Sequence, residues 1–224
     1  MRGEDGDQQR LTELHPRLID VAVPSSPEGA VIVLHGGGSR RDRMRVSPAQ
    51  LSVLRMIPIA HKIARAARGR LAVFRLLNSR RGWDTSHTPV QDVRWAMAQV
   101  HDRLGGELPI CLIGHSLGGR AALLAAGEPA VASAVALAPW VLASDVPQGI
   151  DGKPILIVHG SRDRVADPAR SAALAERLRT ARVNYVLVEG AKHAMLRHRT
   201  EFATRASEFA VATLLGERSL ATAA

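Results

Sequence analysis

Short, continuously apolar runs alternate along the chain with longer stretches in which apolar residues recur at helical spacing. Val31-Ile32-Val33-Leu34, Ile110-Cys111-Leu112-Ile113 and Ile155-Leu156-Ile157-Val158 hold no polar position. Strands covered on both faces, as in a parallel sheet, have this pattern. The predicted strands are Leu18–Val23, Ala30–His35, Leu71–Phe74, Ile110–Gly114, Val131–Ala138, Ile155–His159 and Asn184–Glu189. The predicted helices are Pro48–Arg68, Val90–Leu104, Leu117–Ala126, Pro168–Arg182 and Glu201–Leu215. Asp167-Pro168 is a helix start, with an aspartate to cap the free N–H groups and a proline where no N–H is needed. This alternation predicts an α/β fold with a mostly parallel central sheet and helices on both faces. Only 16 residues separate the Val131 and Ile155 strands, so no sizeable lid insertion is expected.

Composition narrows the class. A chain of 224 residues, 46% of them apolar, is expected to form one domain over residues 11–220, with residues 1–10 flexible. The first ten residues hold no apolar segment, so they do not read as a signal peptide. No stretch reaches the ~18 uninterrupted apolar residues of a membrane span. A single cysteine, Cys111, leaves no internal disulfide framework and suits a reducing, cytoplasmic setting. The formal charge is +9, carried by arginine rather than lysine and scattered apart from Arg40, Arg41, Arg43 and Arg45. Aromatic residues are 3% of the chain, which argues against a stacking surface for nucleic acid.

Candidate chemistry gathers where the predicted strands end. Gly114-His115-Ser116-Leu117-Gly118 lies between a buried strand and a helix, the context in which a Gly-x-Ser-x-Gly turn lifts a serine hydroxyl out of the backbone. His35-Gly36-Gly37-Gly38 follows the Ala30 strand, His159-Gly160-Ser161-Arg162-Asp163 the Ile155 strand, and Gly190-Ala191-Lys192-His193 the last strand. In a parallel sheet these carboxyl ends share one edge. Read in chain order they supply a serine, an aspartate and a histidine. No His-Glu-x-x-His or cysteine pair suggests a metal, and the glycine loop lacks the Gly-Lys-Ser/Thr ending of a phosphate-binding loop.

These four segments resemble the α/β-hydrolase family, in its order and at roughly its spacing. The compact form is similar to the cap-less dienelactone-hydrolase-like and small carboxylesterase branches, although true dienelactone hydrolases carry cysteine at the turn. The resemblance implies a serine hydrolase acting on a small-molecule carboxylic ester or thioester, with no metal or organic cofactor. Ser116 is the implied nucleophile, His193 its base and Asp163 the group that orients the base. The backbone N–H of Leu117 and one from the glycine loop, Gly37 with Gly38 next, are expected to bind the developing oxyanion. An acyltransferase or lyase using the same three residues is one alternative, and a non-catalytic ligand- or protein-binding scaffold another.

Competing residues have readings of their own. Asp167 is accounted for as a helix cap and His198 as the start of the final helix. His35, His115 and His159 read as structural neighbours of the site, and Cys111 as an inert strand residue. Trp83 and Trp140 follow strands and either face the substrate or merely pack. Arg40 and its neighbours lie just beyond the glycine loop, either as a solvated segment or as an attractor for an anionic substrate. The oligomeric state leaves no mark on the sequence.

Overall fold

In the computed structural model of the protein, which describes residues 14–38 and 45–216, the apolar runs form the centre of a seven-stranded sheet. The strands are β1 (Arg17–Ala22), β2 (Gly29–Leu34), β3 (Leu71–Leu77), β4 (Ile110–His115), β5 (Val131–Leu137), β6 (Pro154–Gly160) and β7 (Arg182–Val188). Their spatial order is β1-β3-β2-β4-β5-β6-β7. β1 runs antiparallel to β3, and every other neighbouring pair is parallel. The helices are α1 (Leu51–Leu54), α2 (Ile57–Ala66), α3 (Thr88–Leu104), α4 (Leu117–Leu124), α5 (Pro168–Arg177) and α6 (Arg199–Leu215).

The apolar runs are continuous because alternate residues enter two cores. Val31, Val33, Cys111, Ile113 and Val158 pack with Ile59 and Ile63 of α2 and Phe202 and Ala206 of α6. Ala30, Ile32, Leu34 and Leu112 pack on the opposite face with Val93 and Ala96 of α3 and Ala121 and Ala122 of α4. Ile155 and Ile157 continue that face against Leu174 of α5. The α/β architecture with helices on both faces is therefore as the hydrophobic pattern predicts.

Several boundaries differ from the sequence reading, each for a physical reason. The predicted helix Pro48–Arg68 is two helices, α1 and α2. Pro58 in the first turn of α2 has no N–H to continue a hydrogen-bonded ladder from α1. β3 runs past Phe74 to Leu77, because parallel pairing with β2 continues through Val33↔Arg75 and Leu34↔Leu76 despite the charge. The helix opened by Asp167 ends at Arg177 rather than Arg182; Leu178 leaves the helical region, and Arg182 pairs with Pro154 as the first residue of β7. The predicted helix Leu117–Ala126 ends at Leu124.

The topology also fixes where a site can form. From β2 the chain crosses to β3 on one side and then returns to place β4 on the other. The carboxyl ends of β2 and β4 thus flank a topological switch point, where parallel α/β sheets open a crevice. The connection from β5 to β6 contains neither helix nor strand, so no lid is inserted there. No helix of the described residues is long and apolar enough to cross a membrane.

Candidate active site

β4 ends at His115 and the chain turns at once into α4. Ser116 occupies the corner with φ 56° and ψ −118°, a conformation that costs a residue with a side chain about 1–3 kcal/mol. Three backbone bonds hold it there. The Ser116 N–H donates to the Leu137 carbonyl at 3.0 Å, and its carbonyl accepts from the Arg120 and Trp140 N–H groups, both at 3.1 Å. The flanking glycines answer a steric demand: a Cβ on Gly118 would lie 2.6 Å from the His35 carbonyl oxygen, and one on Gly114 would overlap the Gly118 carbonyl. α4 approaches β2 and β4 too closely for side chains at either position.

The loop after β7 brings His193 over this corner. Its Nε2 lies 3.0 Å from Ser116 Oγ, and its Nδ1 lies 2.7 Å from Asp163 Oδ2. The carboxylate accepts from Nδ1–H, which leaves Nε2 to accept the serine proton. Asp163 comes from the loop after β6 and has no exposed side-chain surface. Its Oδ1 accepts from the Val165 and Ala166 N–H groups at 2.8 and 2.9 Å, and His159 Nε2 approaches Oδ2 at 3.2 Å. Burial opposes the charge, but hydrogen bonds from His159, His193, Ala166 and Val165 outweigh it and hold the carboxyl well below the usual carboxylate range. Asp167 instead caps α5, its Oδ1 accepting from the Ala169 N–H at 2.9 Å.

The remaining histidines brace the assembly. His115 donates from Nε2 to the His193 carbonyl at 2.9 Å, and the two rings pack at a centroid distance of 4.9 Å. Burial lowers the His115 pKa to about 3, and the neighbouring His193 reinforces the shift. His35 accepts the Asn78 N–H at Nε2 and donates from Nδ1 to the Gly36 carbonyl; burial lowers its pKa to about 4. His198 stands immediately before α6. Cys111 lies wholly inside β4, where burial pushes its thiol up to about 12.

The glycine loop separates its two candidate donors. The Gly38 N–H is taken by the Arg81 carbonyl at 3.1 Å. The Gly37 N–H meets no acceptor among the described residues. A Cβ on Gly37 would overlap the Arg81 carbonyl and come 3.2 Å from Leu117 Cδ1, so loop and helix start are in contact. The Leu117 N–H opens α4, where the first turn has no intrahelical acceptor.

Trp140 is half-buried and lines a small cavity of about 260 Å³ with Asp163 and Val165. Trp83 packs against the α3–α4 core. Between them lies Arg120, which the sequence reading passed over. Its guanidinium sits 4.1 Å from the Trp83 ring centroid and 5.6 Å from that of Trp140. The available signal was a lone charge inside the apolar stretch Gly119-Arg120-Ala121-Ala122-Leu123. Arg40, Arg41 and Arg43 lie outside the described residues.

A hydroxyl bonded to an imidazole, itself bonded to a buried carboxylate, is the geometry that general-base activation of a nucleophile requires. Among the described residues, no three His, Cys, Asp or Glu side chains are grouped to hold a metal ion. Solved structures share this fold. A putative α/β hydrolase from Agrobacterium tumefaciens superposes with a TM-score of 0.65 at 20% identity, covering 90% of this chain and 92% of that one. An α/β serine hydrolase without lid from Xanthomonas campestris gives 0.63 at 18% identity, covering 87% and 86%. The esterase Est2 from Thermogutta terrifontis, solved with butyrate bound, gives 0.63 at 20% identity, covering 90% of each chain. No curated protein matches the sequence. The family model described as PET hydrolase-like matches residues 90–214, more than half of the chain and the span holding Ser116, Asp163 and His193, so the chain belongs to the PET hydrolase-like family, on an α/β-hydrolase fold.

Proposed function

We propose that the protein is a serine esterase that cleaves a carboxylic ester or thioester through an acyl-enzyme on Ser116. The observation that carries this reading is the continuous bond chain from Ser116 Oγ through His193 to Asp163, at 3.0 and 2.7 Å. Ser116 Oγ attacks the carbonyl carbon as its proton passes to His193 Nε2. The oxygen that gains the negative charge is held by the Gly37 and Leu117 N–H groups. His193 then gives its proton to the departing alkoxide or thiolate, and the carbonyl–leaving-group bond breaks. Water, deprotonated by His193, attacks the acyl-enzyme, releases the acid and restores Ser116. Asp163 keeps Nδ1 protonated and stabilises the imidazolium throughout.

The test is turnover of p-nitrophenyl acetate together with covalent labelling by a fluorophosphonate. Wild type is expected to do both and Ser116→Ala neither. Undiminished labelling of that variant would remove Ser116 from the mechanism.

A further inference from the structure

The loop that carries His193 also forms one wall of a second feature. Beyond Ala194 the backbone reverses at Met195, which has φ 58° and is buried. This is a left-handed position that favours glycine, held by the Met195 N–H bond to the Lys192 carbonyl at 2.8 Å and the His198 N–H bond to the Met195 carbonyl at 3.0 Å. The reversal sets Leu196 opposite α1 and the start of α2. A groove of about 620 Å³ lies between them, lined by Leu51, Leu54, Ile57, Met195 and Leu196. Leu51 and Leu196 are each 75% exposed and Leu54 is 42% exposed. Three such leucines meeting in one concavity of ligand size are a contiguous patch rather than scattered surface residues.

The groove also has a charge bias. Arg55 and Arg199 line it, and among the described residues no acidic side chain does. Arg55 is half-buried, its Nε is shut away from solvent, and that atom has no hydrogen-bond partner among the described residues. A buried donor left unpaired is destabilising, so an acceptor entering the groove would relieve it. The groove meets the loop of the reacting centre at Ala194, the residue that follows His193.

We infer that this groove binds the apolar chain of the ester substrate, and that Arg55 receives a carboxylate at the far end of that chain. The inference rests on the esterase reading and supplies its substrate class, an ester with an extended apolar portion ending in an anion.

The kinetic experiment compares p-nitrophenyl acetate, p-nitrophenyl octanoate and the mono-p-nitrophenyl ester of suberic acid. Wild type is expected to have a lower KM for octanoate than for acetate, and a lower one still for the suberate monoester. Leu196→Asp, at an exposed position, is expected to lower the octanoate-to-acetate ratio of kcat/KM about tenfold, the scale of losing apolar contact in a pocket. Arg55→Gln is expected to abolish the preference for suberate over octanoate. Leu187→Asp on β7 controls for the added charge and leaves both ratios unmoved.

A second measurement does not depend on catalysis. Octanoate, an inert apolar carboxylate, is titrated into Ser116→Ala by calorimetry; binding that weakens at least tenfold on adding Leu196→Asp supports the groove. Ratios and binding that ignore Leu196→Asp and Arg55→Gln overturn the inference while leaving the esterase reading intact. Octanoate binding without any ester turnover or labelling would sink the esterase reading instead. Self-association abolished by Leu196→Asp, with the ratios unmoved, would give the groove to a second copy of the chain and likewise overturn the inference.

Discussion

Arg120 and Asp145 are joined at two points in the interior, directly behind the serine turn. Nε reaches Oδ2 at 2.9 Å and Nη2 reaches Oδ1 at 2.7 Å, with side-chain exposures of 4% and 5%. Asp145 Oδ2 also accepts the Leu142 N–H at 2.8 Å. The pair therefore ties α4, whose first residues follow Ser116, to the loop that carries Trp140. The guanidinium face meanwhile rests on Trp83.

Removing one partner strands the other. Arg120→Ala is expected to destabilise the protein by about 3–5 kcal/mol, because Asp145 would remain charged and buried without a counterion. Arg120→Met combined with Asp145→Leu should recover most of that loss, since apolar groups of similar size need no desolvated charge. Urea unfolding of the single and double variants measures both. A single variant as stable as wild type would mean that water enters and solvates Asp145.

Asp163 separates stability from chemistry. In Asp163→Asn the side-chain oxygen can still accept from Val165 and Ala166, but an amide NH₂ then faces His193 Nδ1 and favours the wrong tautomer. A fall in kcat on the order of 10⁴ is expected with p-nitrophenyl acetate, the scale of that change in a serine–histidine–aspartate site. Fluorophosphonate labelling should slow in parallel. A loss of only a few-fold would mean that the imidazole is oriented by the His115 bond to the His193 backbone alone.

The buried histidines give stability a pH dependence of definite sign. His35 and His115 titrate at about 4 and about 3 in the folded protein, against an ordinary value of 6.5. Below pH 6.5 the unfolded chain takes up protons that the folded chain refuses, so stability falls with pH until each folded value is reached. The loss at about pH 4.5 relative to neutral pH is on the order of 2 kcal/mol per histidine. Asp163, depressed in the folded state, adds its own loss only below the ordinary carboxylate value. Unfolding midpoints of wild type and His115→Gln at the two pH values test this, with a smaller drop expected for the variant.

The sequence was most readable where one physical demand acted alone. Val31 to Leu34 and Ile155 to Val158 are buried twice over, so period and composition both identify them. Ser116, Asp163 and His193 stand at strand ends, and the proximity of those ends follows once the sheet is parallel. What escaped notice depends on contacts distant in sequence. Arg75 interrupts an apolar run but remains in β3, because its backbone pairs with β2. Nothing near Arg120 in the sequence points to Asp145, and nothing near Leu51 points to Leu196. The edge placement of β1, antiparallel to β3, likewise follows from assembly rather than from its own residues.

Gly37→Ala probes the proposed oxyanion donors without touching the three side chains. The new methyl group would overlap the Arg81 carbonyl and press on Leu117. The loop cannot retreat without breaking the Gly38 bond to that same carbonyl, so the Gly37 N–H must turn from its present direction. Loss of one such donor costs about 10²–10³ in kcat. KM for p-nitrophenyl acetate should change little, because the donor acts on charge that develops only as the carbonyl is attacked. Gly38→Ala is the informative partner: among the described residues its Cβ would find only Arg81 Nε, at 3.9 Å, and its N–H is already committed to the Arg81 carbonyl. It should retain activity within a few-fold. Equal losses at both glycines would show that loop shape, and not the Gly37 N–H, sets the rate.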